Sequence, residues 1–390
     1  MRPILYTSIA CLALVTASLA AQNPTISQVF AFTCNTDYTS CPYGMDPTLA
    51  PIQLSDGNLY GVTWWAGQGN ANAGGTVWKI SPAGQAAVVH TFEPNKTGQF
   101  PKGENPVIGF AQGADHNLYG ITESGGKTNQ GVMYKQAAGG AKGGFKVVHN
   151  FCSGQCTDIQ GPIILGNDGN FYGIEFGGGV IFRMTPQGAW SVFYTLNSET
   201  NGWASTLLQG SDGNFYGTGE IGTPCDRQGT VFRLTPSGQF SILTSFQAFE
   251  LVGGNLVRAT DGNLYGAAEY GGTTNIFRMT TAGKVTLLYQ LQSGEGSTVV
   301  SLMQASDGNL WGLTSDGGPQ PARAGAVFAV TTGGAHVADA AFTCATTGCT
   351  PTGMIQGADG SFYGIAISGG SAPGKNPMGT LFKVDAGLGN

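Results

Sequence analysis

Charge is scarce in this chain, with 17 basic and 23 acidic residues among 390. So few cations cannot track a phosphate backbone, which sets nucleic acid aside as a partner. Histidine is scarcer still, at four residues. No Gly-x-Ser-x-Gly nucleophile elbow and no Cys-x-x-Cys zinc pair occurs anywhere. Beyond the first twenty residues no stretch reaches the roughly 18 apolar residues that span a bilayer. Runs of strong helix formers are almost absent, while glycine is abundant at 64 residues. Aromatic and β-branched residues between glycines read as strands joined by tight turns, and a hydrophobic fraction of 41% is enough to bury a core.

At the amino terminus, Arg2 precedes an apolar run from Ile4 to Leu19, and Ser18-Leu19-Ala20 offers small residues where a signal peptidase reads. Residues 1–20 are therefore expected to be a secretory signal peptide, too short for a membrane span. Cys11 raises a lipoprotein reading, but Ser8-Ile9-Ala10 is a poor lipobox and apolar sequence continues past it. Loss of Arg2 leaves 16 basic and 23 acidic residues, a net charge of −7. The expected product is an exported, mildly acidic protein, secreted, periplasmic or at the cell surface.

One phrase organises the rest. Asp-Gly-Asn-Leu-Tyr-Gly at Asp56 to Gly61 returns with small changes from Asp115, Asp168, Asp212, Asp261, Asp307 and Asp359, at steps of 44 to 59 residues. Such a period is too long for a helical-hairpin solenoid and suits a four-stranded blade. In the first unit four apolar runs, about Ala50 to Leu54, Leu59 to Trp64, Thr76 to Ile80 and Ala86 to Phe92, are separated by Ser55-Asp56-Gly57-Asn58, a longer loop, and Ser81-Pro82-Ala83-Gly84. Asp-Gly and Pro-x-Gly are hairpin chemistry, since glycine takes the positive φ and proline presets the turn. Each unit is a meander of strands a to d. Seven meanders, apolar on both sides, bury themselves by packing radially, so residues 21–390 read as one all-β domain, a seven-bladed β-propeller. An open β-solenoid is the alternative. Small residues six before each Asp (Ala50, Gly109, Pro162, Thr206, Asn255, Ser301 and Gly353) fit innermost strands crowding an axis.

The chain ends favour the ring. The last unit stops after its third strand, Gly379 to Val384, and the missing fourth matches Ile26 to Phe32 at the other end. Residues 25–33 are therefore predicted to complete the last blade and remove the open edges.

The repeated phrase, a following Gly-Gly loop, and Gly-Thr-Val-Phe-Arg-Leu-Thr-Pro-Ser-Gly at Gly229 to Gly238 resemble the tandem repeat of bacterial exported proteins called GloVer-containing proteins. The resemblance implies a propeller and export, and no particular activity. A looser likeness is to streptogramin lyases, whose repeats contain Asp-Gly-x-Leu-Trp; Asp307-Gly-Asn-Leu-Trp311 comes close.

In such a meander the a-to-b and c-to-d turns lie on one face, the bottom, and the longer, variable b-to-c and d-to-a connections lie on the top, where binding is expected. The seven Asp residues resemble a calcium ladder, but each turn falls short of the six to eight oxygens Ca²⁺ takes, and Asx turns account for them. Lys79, Lys135, Arg183, Arg233, Arg278 and Lys383 recur on strand c and are expected to pair with those Asp residues, with Ala329 leaving Asp307 alone. His90 and His149 fall on strand d at the rim, His116 in a bottom turn and His336 at the start of a d strand, so no histidine-based acid/base pair or metal cluster is expected.

Seven cysteines follow the signal. Cys34/Cys41, Cys152/Cys156 and Cys344/Cys349 all lie in d-to-a connections and are expected to form three local disulfides, with Cys225 unpaired. The candidate ligand-binding residues are the unevenly placed ones on top: Glu123, Glu220 and Glu269, Glu175 one place earlier in its repeat, and Trp64, Trp65, Tyr270 and Trp203. Carboxylates beside aromatic faces suit a sugar or a cation. A solvated acidic rim with aromatics tucked between blades is the alternative reading.

Two functions follow. One is a non-catalytic binding or surface-interaction module for a glycan, peptide or envelope partner, monomeric and without a cofactor, although a cation such as calcium suits the acids. The other is an extracellular polysaccharide lyase or glycosidase using paired top-face carboxylates.

Overall fold

The computed structural model describes residues 23–389 apart from 68–69, 107–108, 141–143, 152–158, 176–178, 198–201, 223–227, 247–251, 271–272 and 320–322. Seven antiparallel sheets follow one another along the chain: 45–91, 104–150, 159–195, 203–245, 252–290, 299–341, and 349–385 joined by the first strand, Thr25–Cys34. The fold is thus a seven-bladed β-propeller. Within each blade the order runs a-b-c-d. Strand a is broken in two in blades 1, 2 and 4, for example Met45–Pro47 and Ile52–Gln53. In blades 3, 5, 6 and 7 it is continuous but shifts register near the small residue predicted to face the axis. The inner strands are in mutual reach: Asn255 in blade 5 donates to the Leu302 carbonyl of blade 6 and accepts from the Leu302 N–H, both at 2.9 Å.

The ring closes as the sequence predicted. Thr25–Cys34 pairs antiparallel with Asn376–Asp385, from Thr25 opposite Asp385 to Cys34 opposite Asn376. The carboxamide of Gln28 adds a pair of bonds to the main chain of Ser371, 3.0 and 2.8 Å. The strand occupies what would otherwise be the unpaired outer edge of blade 7.

The repeated phrase is explained by its last glycine. In every blade that glycine lies opposite an aromatic residue of strand c: Gly61 and Trp78, Gly120 and Tyr134, Gly173 and Phe182, Gly217 and Phe232, Gly266 and Phe277, Gly312 and Phe328, Gly364 and Phe382. The ring lies across the bare Cα, and any Cβ there would collide with it. The hydrophobic core is divided into wedges between blades. One holds Tyr119, Ile121 and Met133 of blade 2 against Ile163, Phe171 and Phe182 of blade 3. Another sets Phe32, Tyr363 and Leu381 of blade 7 against Leu59, Trp78 and Ile80 of blade 1. Each such side chain contributes about 1.5–3 kcal/mol by leaving water, and only when its neighbouring blade is in place.

Candidate functional site

The bottom face is a frame of hydrogen bonds. In the first turn Asp56 Oδ1 accepts the Asn58 main-chain N–H at 3.0 Å, Oδ2 accepts the Asn58 carboxamide at 2.9 Å, and Oδ2 also accepts the Tyr60 hydroxyl at 2.7 Å. The aromatic hydroxyl returns to Asp115, Asp168, Asp212, Asp261 and Asp359, and Trp311 Nε1 replaces it on Asp307 at 3.2 Å. Burial works against the charge on Asp56, but these bonds outweigh it and hold the carboxyl below its ordinary range. These are Asx turns capped by the tyrosine of the same phrase.

Among the described residues, Lys135 pairs as expected with Asp115 at 2.8 Å and Lys383 with Asp359 at 3.2 Å. Two others depart from expectation. Lys79 donates instead to the Gly139 carbonyl of blade 2, which the longer turn there brings within 3.2 Å. Asp212 faces Arg258 of the next blade's strand a at 3.6 Å.

On the top face, strand b of blade 1, Leu59–Trp65, ends in two exposed tryptophans, 39% and 41% accessible, with ring centroids 6.2 Å apart. Alternation sends the two to opposite sides of the strand. Trp64 Nε1 donates across the blade boundary to Glu123 Oε2 at 3.3 Å. Glu123 lies near the end of the corresponding strand, Leu118–Ser124, and is exposed.

Glu104 and Asn105, absent from the sequence reading, complete this corner. Burial raises the Glu104 carboxyl, a hydrogen bond from Ser124 opposes the rise, and the neighbouring Glu123 charge adds to it. Asn105 is buried and donates to the Trp64 carbonyl at 3.3 Å. It takes a left-handed φ of 55°, as do Asp46 at 56° and Thr350 at 54°. All three precede a proline and follow a glycine by two places, and Gly-x-Asp/Asn/Thr-Pro is the signal that would have found them. In each case the proline rests against a glycine at or near the start of strand c of the preceding blade: Pro47 on Gly379, Pro106 on Gly75, Pro351 on Gly325.

The remaining candidates stand on other blades. Glu220 lies opposite Trp203 in blade 4, and each of the two is engaged by a neighbouring group. Glu175 ends Phe171–Glu175 opposite Val180 and is engaged likewise. Glu269 is exposed opposite Thr274, and Tyr270 ends the same strand opposite Thr273. Trp64 thus meets Glu123, which has Glu104 as a neighbour, while the other acids sit one to three blades further round.

Disulfides join Cys34 to Cys41 and Cys344 to Cys349, each stapling a d-to-a connection. Cys152, Cys156 and Cys225 lie outside the described residues. Among the described residues no three His, Cys, Asp or Glu converge as metal ligands, and no helix is long and apolar enough to cross a membrane.

In structure the chain is similar to a streptogramin B lyase, at 16% identity and a TM-score of 0.60, over 94% of this chain and 99% of that one. It is also similar to virginiamycin B lyase from Staphylococcus aureus, at 16% identity and a TM-score of 0.57, over 93% and 99%. At that identity the likeness is one of fold. No curated protein matches the chain in sequence. The Gloeobacter/Verrucomicrobia repeat matches residues 20–202, 173–319 and 254–390. Those three matches together take in every blade of the ring, and the chain belongs to the Gloeobacter/Verrucomicrobia repeat family.

Proposed function

We propose that the protein is an exported binding module that presents a glycan or envelope component to the top-face corner between blades 1 and 2. The observation that carries this reading is the bond from the exposed Trp64 to Glu123, with Trp65 beside it. A tryptophan left in water offers a flat apolar face to a sugar ring, and a carboxylate fixed at its edge accepts sugar hydroxyls. Two disulfides fit an oxidising compartment, in keeping with export through residues 1–20. Glu220, Glu269 and Glu175, with Trp203 and Tyr270, would extend the surface for a longer chain.

The second reading is an extracellular polysaccharide lyase or glycosidase, favoured by the raised carboxyl of Glu104 next to Glu123. Two neighbouring carboxyls, one of them raised by burial, are the kind of pair such chemistry uses. The test is a glycan array probed with the protein, with Trp64→Ala and with Glu123→Gln. Binding by the parent and about tenfold loss in both variants, at unchanged melting temperature, supports the module. Cleavage of the retained glycan, lost in Glu104→Gln, supports the enzyme. Unchanged binding in both top-face variants removes this corner as the site.

A further inference from the structure

Across the outer strand pair, the strand c position that carries the recurring basic residue faces a small, uncharged residue of strand d in six blades. Lys79 faces Ala87, Arg183 faces Ser191, Arg233 faces Ser241, Arg278 faces Thr286, Ala329 faces Ala338, and Lys383 faces Ser27. In blade 2 Lys135 faces Lys146. Like charges directly opposite on an antiparallel pair are destabilising. Lys135 is already neutralised by Asp115, so the extra charge rests on Lys146, which is exposed and makes no hydrogen bond or ion pair among the described residues. The frame gains nothing from it.

Beside these lysines lies a cavity of about 410 Å³ walled by Asp115, Tyr119, Lys135, Lys146, Val148 and, from the c-to-d turn of blade 3, Pro186. One blade earlier, the chain itself fills the corresponding place. Blade 2 has a longer c-to-d connection, and its Gly139 reaches back over blade 1, its carbonyl accepting Lys79 Nζ at 3.2 Å and its N–H donating to the Tyr60 hydroxyl at 3.0 Å. The hydroxyl meanwhile donates to Asp56. In blade 3 the connection is a tight turn, with Gly188 N–H on the Thr185 carbonyl at 2.9 Å. There the Tyr119 hydroxyl donates to Asp115 at 2.9 Å, and no main-chain N–H of the described residues donates to it in return.

We propose that this cavity binds a carboxylate ligand of the N-acyl amino acid type, as found at a peptide carboxy terminus. The ligand repeats what Gly139 does one blade earlier: its carboxylate accepts from Lys146 and Lys135, and the N–H of the same residue donates to the Tyr119 hydroxyl. Two lysines and one aspartate leave one positive charge, which one carboxylate cancels. Val148 and Pro186 give its side chain a small apolar wall. The site is on the opposite face of the ring from the tryptophans and does not depend on them.

Titration of the full chain with N-acetylglycine, followed by calorimetry and by NMR, tests the assignment, with N-acetylglycinamide and acetate as comparison probes. The expected result is saturable binding of N-acetylglycine, with the amide and acetate each about tenfold weaker or more. Lys146→Ser, which installs the residue of blades 3, 4 and 7, is expected to lose about tenfold in affinity while its melting temperature holds or rises. Trp64→Ala is expected to bind the probe as the parent does. Equal binding of the amide, equal binding of acetate, unchanged affinity in Lys146→Ser, or no saturable binding of N-acetylglycine would each overturn the proposal.

Discussion

The side chain of Gln53, on the innermost strand of blade 1, accepts a hydrogen bond at 2.7 Å from the main-chain N–H of Ala358, in the turn of blade 7. Its amide end donates to the Gly57 carbonyl of its own turn at 3.0 Å. Gln209, Gln304 and Gln356 repeat the arrangement, accepting from Asn167, Thr260 and Ser306 of the blade before. In blades 1, 4, 6 and 7 the glutamine three places before the repeated Asp is thus a clasp to the preceding blade, and Gln53 applies it across the seam of the ring.

Ring closure therefore rests on the clasp at the bottom and the strand at the rim, and the two should separate in magnitude. Gln53→Ala is expected to lower stability by about 1 kcal/mol, the net worth of a part-buried hydrogen bond, in a still cooperative transition. Deletion of residues 21–33 exposes the edge of blade 7 and should bring aggregation or a broadened melt. A deletion variant that melts like the parent would show that closure does not depend on the strand.

The tyrosines bound to the repeated Asp residues predict an alkaline limit. Burial first, and the Asp hydrogen bond second, push Tyr60, Tyr172 and Tyr265 up to about 12. The folded state keeps these protons longer than the unfolded chain, so their stabilisation is complete below about 10 and is lost as pH rises through about 12. Phenolate absorbance should climb together with unfolding in that window. Tyr363→Phe, which strips one bond from Asp359, is expected to cost about 1 kcal/mol near neutrality.

His90 sets a separate acid window. Its ring stacks on Phe145 with centroids 3.7 Å apart, and burial, aided by the Lys102 charge, pushes it down to about 4. An unfolded histidine takes its proton near 6.5, so the stabilisation is full above about 6.5 and is lost as pH falls toward about 4. His90→Phe should flatten the stability profile across that interval, as read by denaturant midpoints at a series of pH values. A profile as steep as the parent's would assign the acid sensitivity elsewhere.

The cysteines give a direct chemical check. Peptide mapping without reductant should recover Cys34 linked to Cys41 and Cys344 linked to Cys349. Because the closed loops are short, reduction should cost less than about 3 kcal/mol per bridge and leave the ring folded. Unfolding on reduction alone would mean that the stapled connections hold more of the top face than their size implies.

Much of this protein could be read before its structure. Blade number, strand order and ring closure follow from a phrase with a fixed period, from hairpin turns specified by Asp-Gly and Pro-x-Gly, and from a terminal strand whose pattern matches the strand missing at the other end. These are local properties, encoded within one unit or by comparing units. Even the acids and tryptophans of the top could be singled out, because they break the repeat.

What the fold alone decided is which residues of different blades meet. Trp64 and Glu123 are 59 residues apart and touch because strands b of adjacent blades end side by side at the top. Glu104 and Asn105 join them because strand a enters between those ends. The glycine of the phrase proved to be a seat for a ring on strand c, and its tyrosine a cap on the Asp four places before, neither of which periodicity distinguishes from ordinary packing. Lys146 looks like any exposed lysine in the sequence. Only the register opposite Lys135, and a turn in blade 3 too short to cover the gap, make it a charge without a structural use. Contacts between blades depend on loop length and strand twist summed over the whole circle, and a single unit does not contain that information.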